Sequence, residues 1–176
     1  DLLTPDGLML IEVNYAKSFF ERQNVDMLGQ EHLIYYFIET FADLISQANL
    51  FINDAYLTDM NGGNITFTIS RIDKKSERYQ VFANEEKSWM SNFNFENFEE
   101  IVRNGFLKFN EKLISLSESN TIKVLGASTR GAMIIQMLGL DSRIITTAVD
   151  LQRNKAGRRI SGTDIVIEFD DEHVAP

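Results

Sequence analysis

The stretch Val124-Leu-Gly-Ala-Ser-Thr-Arg-Gly131 lies between two apolar segments and decides the fold that we predict. Apolar residues at 122–125 and 144–149 predict two strands, and residues 132–138 predict a short helix between them. A strand, a glycine turn, a helix and a second strand in this order form a βαβ unit with parallel strands. We therefore predict that residues 119–176 form a Rossmann-like unit with the quoted stretch at its strand-to-helix turn.

The N-terminal part of the sequence also alternates between strand and helix patterns. Residues 8–13 are nearly all apolar, which predicts an interior strand covered on both faces. Apolar residues recur every three or four positions over 36–49, which predicts a helix. Two β-rich runs, 50–57 and 64–72, flank the adjacent glycines Gly62-Gly63 and predict antiparallel neighbours at a sheet edge. The whole chain is therefore predicted to be α/β.

A polar segment without a sustained period, residues 73–93, is the best candidate for a domain boundary. Apolar residues then recur at helical spacing from Asn94 to Leu116 and predict a long amphipathic helix, for which Asn94 can act as the N-cap. The predicted organisation is a first domain at 1–72, a linker at 73–93, and a long helix plus the Rossmann-like domain at 94–176.

Composition excludes several classes of function. The 17 basic and 26 acidic residues give a formal net charge of −9, which disfavours nucleic acid and anionic membrane surfaces as partners. With no cysteine and only two histidines, no metal site is expected within this chain. No apolar run reaches the roughly 20 residues needed to cross a bilayer, and no targeting signal is evident. We expect a cytoplasmic protein.

Three segments carry residues suited to chemistry. Glu31 and His32 precede the predicted helix, and an imidazole beside a carboxylate suits proton transfer near neutral pH, although such a pair is more often a helix cap and a satisfied polar residue. Asn61-Gly-Gly-Asn64 permits close approach of a ligand or forms a plain hairpin loop.

The third segment is the quoted glycine turn. Amides near Ser128 and the charge of Arg130 can bind phosphate, and Asp150, 24 positions after Gly126, can accept hydrogen bonds from ribose hydroxyls. Because position 128 is serine, the G-x-G-x-x-G fingerprint is incomplete, and an empty Rossmann-like turn is the alternative.

These segments, in this order, resemble the sugar C-methyltransferase family, which methylates a ring carbon of nucleotide-diphosphate deoxysugars. Gln30-Glu-His-Leu-Ile-Tyr35 resembles the motif H-E-H-L-S-Y, Asn61-Gly-Gly-Asn64 resembles H-G-G-S, and Gly126-Ala-Ser-Thr-Arg-Gly131 resembles G-A-S-x-K-G. The last stretch is similar to D-x-N-P-x-K-x-G-R-x-x-P-G-T-x-I-P-I and matches it at Asp150, Lys155, Gly157, Arg158, Gly162, Thr163, Ile165 and Ile167. The chain departs from the family patterns at Gly29, Gln30, Asn61 and Gln152-Arg153, and these changes suggest a divergent substrate.

The resemblance implies a fold and an activity for a longer protein. It implies that residues 1–72 end the sheet of an S-adenosylmethionine domain, with zinc-binding and cofactor-binding segments upstream of this chain. The implied catalytic residues are His32, as the base that forms an enolate, and Glu31 as its assistant. The implied substrate-binding residues are Tyr35, Gly62, Gly63, Ser128, Arg130 and Asp150.

Two other functions remain open at this point. The chain could be a non-catalytic Rossmann-like module that binds a nucleotide-sugar or a partner protein. It could also belong to a sugar O-methyltransferase, in which His32 would deprotonate a hydroxyl and no ketone would be required.

Overall fold

The chain divides into two units, one ending at Phe98 and the other beginning at Glu99. The computed structural model describes residues 3–28 and 33–171. Both units combine helices with a three-stranded sheet, so the predicted α/β class is confirmed.

The first unit contains an antiparallel sheet with the strand order β1-β3-β2. Its strands are β1 (Met9–Asn14), β2 (Phe51–Thr58) and β3 (Asn64–Ser70), and its helices are α1 (Ala16–Arg22), α2 (Ile38–Ser46) and α3 (Glu77–Asn92). The predicted antiparallel pairing on either side of Gly62-Gly63 is confirmed as β2 and β3.

The core of the first unit lies on one face of this sheet. Alternation along β3 turns Ile65, Phe67 and Ile69 to the same side, and all three are fully buried. Phe41 of α2 stacks on Phe67 with ring centroids 4.6 Å apart. The apolar stripe predicted over 36–49 is therefore the face of α2 that covers the sheet.

Strand β1 differs from the interior strand that its composition predicted. Among the described residues it pairs only with β3, and its burial alternates along the strand. Leu10 lies opposite Thr68, on the face away from the core, and is 64% exposed. Within the described part of the chain, only one face of residues 8–13 therefore packs against the core.

The segment predicted as a linker, 73–93, instead contains helix α3, which packs on β2. Ser76 caps this helix by accepting from the amide of Tyr79 at 3.0 Å. Helix α3 buries Tyr79 and Glu86, and Phe82 and Ala83 pack partly against the core. Because the acidic Glu86 interrupts this side of the helix, the apolar period of 3.6 is weak in the sequence.

Glu86 is 2% exposed and caps helix α2 from a position 48 residues away in sequence. Its two oxygens accept from the amide of Ile38 at 2.8 and 3.0 Å. Tyr15 also bonds to Glu86, and burial raises the pKa of the Tyr15 phenol, which therefore stays protonated. Burial likewise raises the pKa of Glu86, against the opposing effect of these hydrogen bonds.

We predict that Glu86 makes the stability of the chain depend on pH. The pKa of Glu86 in the folded chain is raised above 4.5. The stabilising contribution of protonated Glu86 to the free energy of unfolding is therefore complete below pH 4.5 and is lost as pH rises through the folded-state pKa. Glu86→Gln should therefore gain stability relative to the unsubstituted chain as pH rises. Glu86→Ala should lose about 1–3 kcal/mol, because the amide of Ile38 is left without an acceptor.

Urea unfolding followed by circular dichroism at several pH values measures both effects. Glu85→Gln is the control, since Glu85 is the exposed neighbour on the same helix. A pH dependence that is the same in Glu86→Gln and the unsubstituted chain would show that Glu86 does not cause it.

Phe20 is the centre of an aromatic cluster in the first unit. Its ring lies within 6.4 Å, between centroids, of six other aromatic rings: Phe19, Phe37, Trp89, Phe93, Phe95 and Phe98. Trp89 also stacks on Phe93 at 4.3 Å. The cluster joins α1, α3 and the first turn of the helix that follows.

That helix, α4 (Phe95–Ser117), begins in the first unit and continues into the second. Asn94 precedes it and accepts from the amide of Asn97 at 3.0 Å, which confirms the predicted cap and helix. No helix in the two described ranges is long and apolar enough to span a membrane.

The second unit contains a parallel sheet with the strand order β4-β5-β6. Its further elements are β4 (Lys123–Leu125), α5 (Thr129–Met137), β5 (Thr147–Asp150) and β6 (Ile167–Phe169). Strands β4 and β5 are parallel neighbours and Gly126 lies in the turn after β4, so the predicted Rossmann-like βαβ unit is confirmed. Strand β6 pairs parallel with β5 and was not recognised from the sequence.

Candidate functional site

The first unit brings Tyr35 and the glycine loop together. Tyr35, Asn61 and Gly63 line a cavity of about 10 Å³ with five other residues of α1, β1 and the loops beside them. The Tyr35 hydroxyl donates to the carbonyl of Met27, and its ring lies 5.0 Å from that of Phe19. A cavity of this volume holds at most one water molecule, so these residues pack against one another here.

The backbone conformation and close contacts both require glycine at positions 62 and 63. Gly62 and Gly63 have φ values of 80° and 120°, in the left-handed region. Asn24 donates from Nδ2 to the carbonyl of Gly62 at 2.7 Å, and a Cβ on Gly62 would lie 2.3 Å from that nitrogen. A Cβ on Gly63 would lie 2.7 Å from the Cβ of Ser18. The loop is thus pressed against α1 and the turn after it.

We predict that Gly63→Ala destabilises the chain by more than about 1 kcal/mol, because alanine meets both an unfavourable φ and Ser18. Gly105→Ala is the matched control, since a Cβ there meets no atom within 4 Å on helix α4. That substitution should stabilise by up to about 1 kcal/mol. Urea unfolding compares the two, and equal effects would contradict the close approach at Gly63.

Beyond the loop, Asn64 belongs to a polar group on the face of the sheet away from the core. Glu12 accepts from Asn64 at 2.9 Å, from Thr66 at 3.1 Å and from Thr58 at 3.2 Å. The hydrogen bond from Asn64 is the main cause that lowers the pKa of Glu12. The buried Oδ1 of Asn64 has no hydrogen-bond partner in the described ranges.

The second unit presents the glycine turn at the carboxyl ends of its parallel strands. Gly126 has φ 85°, and its amide donates to the carbonyl of Val149 at 2.7 Å. Ser128 is the N-cap of α5 and accepts from the amide of Gly131 at 3.1 Å. The predicted phosphate-binding residues Ser128 and Arg130 thus stand at the start of this helix.

Asp150, predicted to contact ribose, is held by three donors within the unit. Its Oδ2 accepts from the amide of Ala127 and from Lys155 Nζ, each at 2.8 Å, and its Oδ1 accepts from the amide of Gln152 at 2.8 Å. Lys155 Nζ also donates to the carbonyl of Ala127 at 3.1 Å. The hydrogen bond from Lys155 is the largest of the causes that lower the pKa of Asp150 to about 2. We call this arrangement of Ala127, Asp150, Gln152 and Lys155 the Asp150 latch.

A cleft of about 450 Å³ opens beside the latch. Its walls include Leu125, Gly126, Asp150, Leu151, Lys155 and Asp170. Leu125 and Leu151 are 81% and 57% exposed, whereas Asp150 and Asp170 are buried. We call it the strand-end cleft, because its residues follow or end β4, β5 and β6.

Each unit therefore groups some of the predicted residues. Tyr35, Gly62 and Gly63 lie close to one another in the first unit, and Ser128, Arg130 and Asp150 belong to the turn region of the second. The predicted catalytic residues Glu31 and His32 lie outside the described residues. Within the described ranges, no three acidic or histidine side chains are grouped so that they could hold a metal ion.

The sequence does not predict the contacts of Lys155 and Glu86. Lys155 matches a family pattern, and its position five residues after Asp150 is the available signal for their pairing. Glu86 gave no signal at all, because its partner Ile38 is distant in sequence.

Comparison with known proteins identifies a matching family and a similar protein. Residues 59–175 match the family model of the C-methyltransferase C-terminal domain, so the match includes β3 and α3 as well as the second unit. The chain is 24% identical over 174 residues to the C-methyltransferase NovU of Streptomyces niveus. The alignment covers 94% of this chain and 41% of that relative.

Proposed function

Because the chain belongs to the family of C-methyltransferase C-terminal domains, we propose that it forms part of an S-adenosylmethionine-dependent enzyme that methylates carbon in a nucleotide-diphosphate keto-deoxysugar. The observation that carries this proposal is the family match over residues 59–175. The alignment with a C-methyltransferase along 94% of the chain supports it.

The proposed reaction needs a base, since a ring carbon becomes a nucleophile only after loss of a proton beside the ketone. His32 is the proposed base and gives the enolate, and Glu31 assists it by a hydrogen bond or a second proton transfer. The support for these roles is the similarity of Gln30-Glu-His-Leu-Ile-Tyr35 to the family motif.

Substrate contacts are proposed in both units. In the first, Tyr35, Gly62 and Gly63 are the proposed sugar contacts, and the tight packing of the loop on Asn24 and Ser18 supports a fixed position for it. In the second, the amides after Ser128 and the side chain of Arg130 are the proposed phosphate contacts.

For Asp150 the three donors of the latch favour a structural role, in which the carboxylate shapes the turn that faces the substrate.

The connection from β1 to α1 does not fit S-adenosylmethionine, because the chain passes through Tyr15 there without a glycine. The resemblance places the family's glycine-rich cofactor motif upstream of this chain. The proposal therefore assigns cofactor binding, together with the zinc site implied by the resemblance, to segments of the same protein upstream of this chain. When bound, the cofactor supplies the methyl group.

Incubation of the full-length protein with S-adenosylmethionine and a series of nucleotide-diphosphate keto-deoxysugars tests the proposal. Mass spectrometry should show a product heavier by one methylene, and NMR should place the new methyl group on a ring carbon. A methyl group on oxygen would identify an O-methyltransferase instead. Binding without any methylated product would identify a non-catalytic module.

A further inference from the structure

The parallel sheet of the second unit has one covered face and one uncovered face. Val124, Ala148 and Ile167, one residue from each strand, share a core with residues of α4 and α5: Phe106, Leu113, Ala132 and Ile135. Because side chains alternate along a strand, Leu125 and Val149 lie on the opposite face. These two residues are paired neighbours in β4 and β5, and Leu125 is 81% exposed. We call this side of the sheet the outer face.

The outer face is apolar at its centre, and its charged residues pair with each other. The strand-end cleft opens on this face, since Leu125, Val149 and Leu151 all line it. Lys123 and Glu168 lie on the same face and form an ion pair at 3.6 Å, with both side chains more than half exposed. A surface that is complementary to the outer face is therefore apolar.

Parallel sheets are almost always covered on both faces, because their crossover connections place helices there. The crossover from β4 to β5 places α5 on the covered face. Parallel crossovers are right-handed, so a connection that runs from β6 back past β4 reverses its direction across the sheet and places its helix on the other face. Among the described residues, β4 pairs only with β5. The uncovered face and the open edge of β4 are thus the places where such a connection would add.

The strand order agrees with this placement. In a doubly wound fold the first three strands lie side by side in chain order, and the fourth strand adds beside the first. Strands β4, β5 and β6 have the order of that first half. The second half of such a fold supplies an edge strand next to β4 and a helix on the outer face.

The size of the outer face favours a segment of the same polypeptide over a second copy. Its strands have three or four residues each, so the face measures about 14 Å by 13 Å at the usual strand spacing and rise. Stable interfaces between separate chains bury about 800 Å² on each partner, which is much more than this face offers. A single helix, about 10 Å in diameter, covers it. The chain spans 41% of the relative that it matches, so more than half of that relative has no counterpart here.

We propose that a segment of the same polypeptide that follows β6, beyond position 176, packs the apolar side of a helix on the outer face and adds a strand beside β4. The helix contacts Leu125, Val149 and Leu151. This inference concerns the completion of the second unit and does not rest on the proposed reaction.

Photocrosslinking in the full-length protein identifies the occupant of the outer face. With p-benzoylphenylalanine at position 125, irradiation should join this position to a peptide that follows position 176, and mass spectrometry identifies the peptide. Position 107, where Leu107 is 54% exposed on α4, is the matched control and should not form this crosslink. The proposal is overturned by a crosslink from position 125 to any other part of the protein, by a crosslinked dimer, or by no crosslink at all.

Leu125→Asp provides a second measurement. In the 176-residue chain the urea midpoint should change little, because this side chain is exposed. In the full-length protein the carboxylate would be buried under the helix, so amides of residues 123–125 and 147–149 should exchange at least about tenfold faster. Leu107→Asp is the control and should change neither measurement. Unchanged exchange in full-length Leu125→Asp would show that nothing covers the outer face.

Discussion

Replacement of His32 by alanine in the full-length protein should lower the turnover number by about 10²–10⁴-fold, the usual contribution of a positioned general base. The reason lies in the proposed chemistry, in which no enolate forms until the ring proton beside the ketone is removed. The affinity for the sugar nucleotide should change little, so kcat should fall while KM stays nearly constant.

Proton exchange provides a second measurement of the same step. In deuterated water and without the methyl donor, the acidic ring proton of the sugar should exchange, and His32→Ala should slow this exchange in parallel with turnover. His173→Ala is the matched control, because His173 is the second of the two histidines in the sequence. Normal exchange and turnover in His32→Ala would require another base.

The Asp150 latch should dominate the stability of the second unit. Asp150→Ala removes the acceptor of two amides and leaves Lys155 without its carboxylate, and breaking such a largely buried pair costs about 3–5 kcal/mol. We expect the lower part of that range, because the side chain of Lys155 is 28% exposed. Hydrogen exchange read peptide by peptide should show lost protection at residues 126–131 and 150–156.

Asp141→Ala is the control for this prediction. Asp141 pairs with Arg143 at the surface, where the arginine side chain is 85% exposed, and such solvent-screened pairs contribute little to stability. Similar losses in the two variants would show that the latch is an ordinary surface ion pair.

The latch should also respond to acid. The pKa of Asp150 falls from 3.8 to about 2 in the folded chain, mainly through the hydrogen bond from Lys155. A depressed pKa contributes stability above the unfolded value, and that stability is lost as pH falls from about 4 through about 2. Asp150→Asn should lack this loss, and acid titration followed by circular dichroism compares it with the unsubstituted chain.

Features of the fold that depend on local pattern could be predicted from the sequence. The βαβ unit follows from two apolar runs at the right separation and from a glycine turn, and helices α2 and α4 follow from apolar spacing. Helix α3 could not be predicted in this way, because the buried Glu86 interrupts the apolar side formed by Tyr79 and Phe82. The apolar composition of strand β1 predicts a strand covered on both faces, but one of its faces is exposed in the structure.

In the candidate site, too, local sequence patterns could be recognised, whereas contacts made by the tertiary fold could not. Glycines and polar residues at strand ends and loops predict where a site could lie, but the sequence does not predict the hydrogen-bond partners of these residues. The sequence predicts a ribose contact for Asp150 but does not reveal that Ala127, Gln152 and Lys155 donate to it. The role of Glu86 could not be predicted for a related reason, since its partner Ile38 is brought close only by the tertiary fold.

The aromatic cluster around Phe20 gives the molecule a spectroscopic asymmetry. Trp89 is the single tryptophan in the sequence and is stacked on Phe93, and all five tyrosines also precede Phe98. Tyrosine and tryptophan emission therefore arises entirely from the first unit, while the second unit is silent to this probe. A fluorescence titration with denaturant follows the first unit alone, and circular dichroism follows both. Substitutions in the Asp150 latch should shift the circular dichroism curve and leave the fluorescence curve in place if the two units unfold independently.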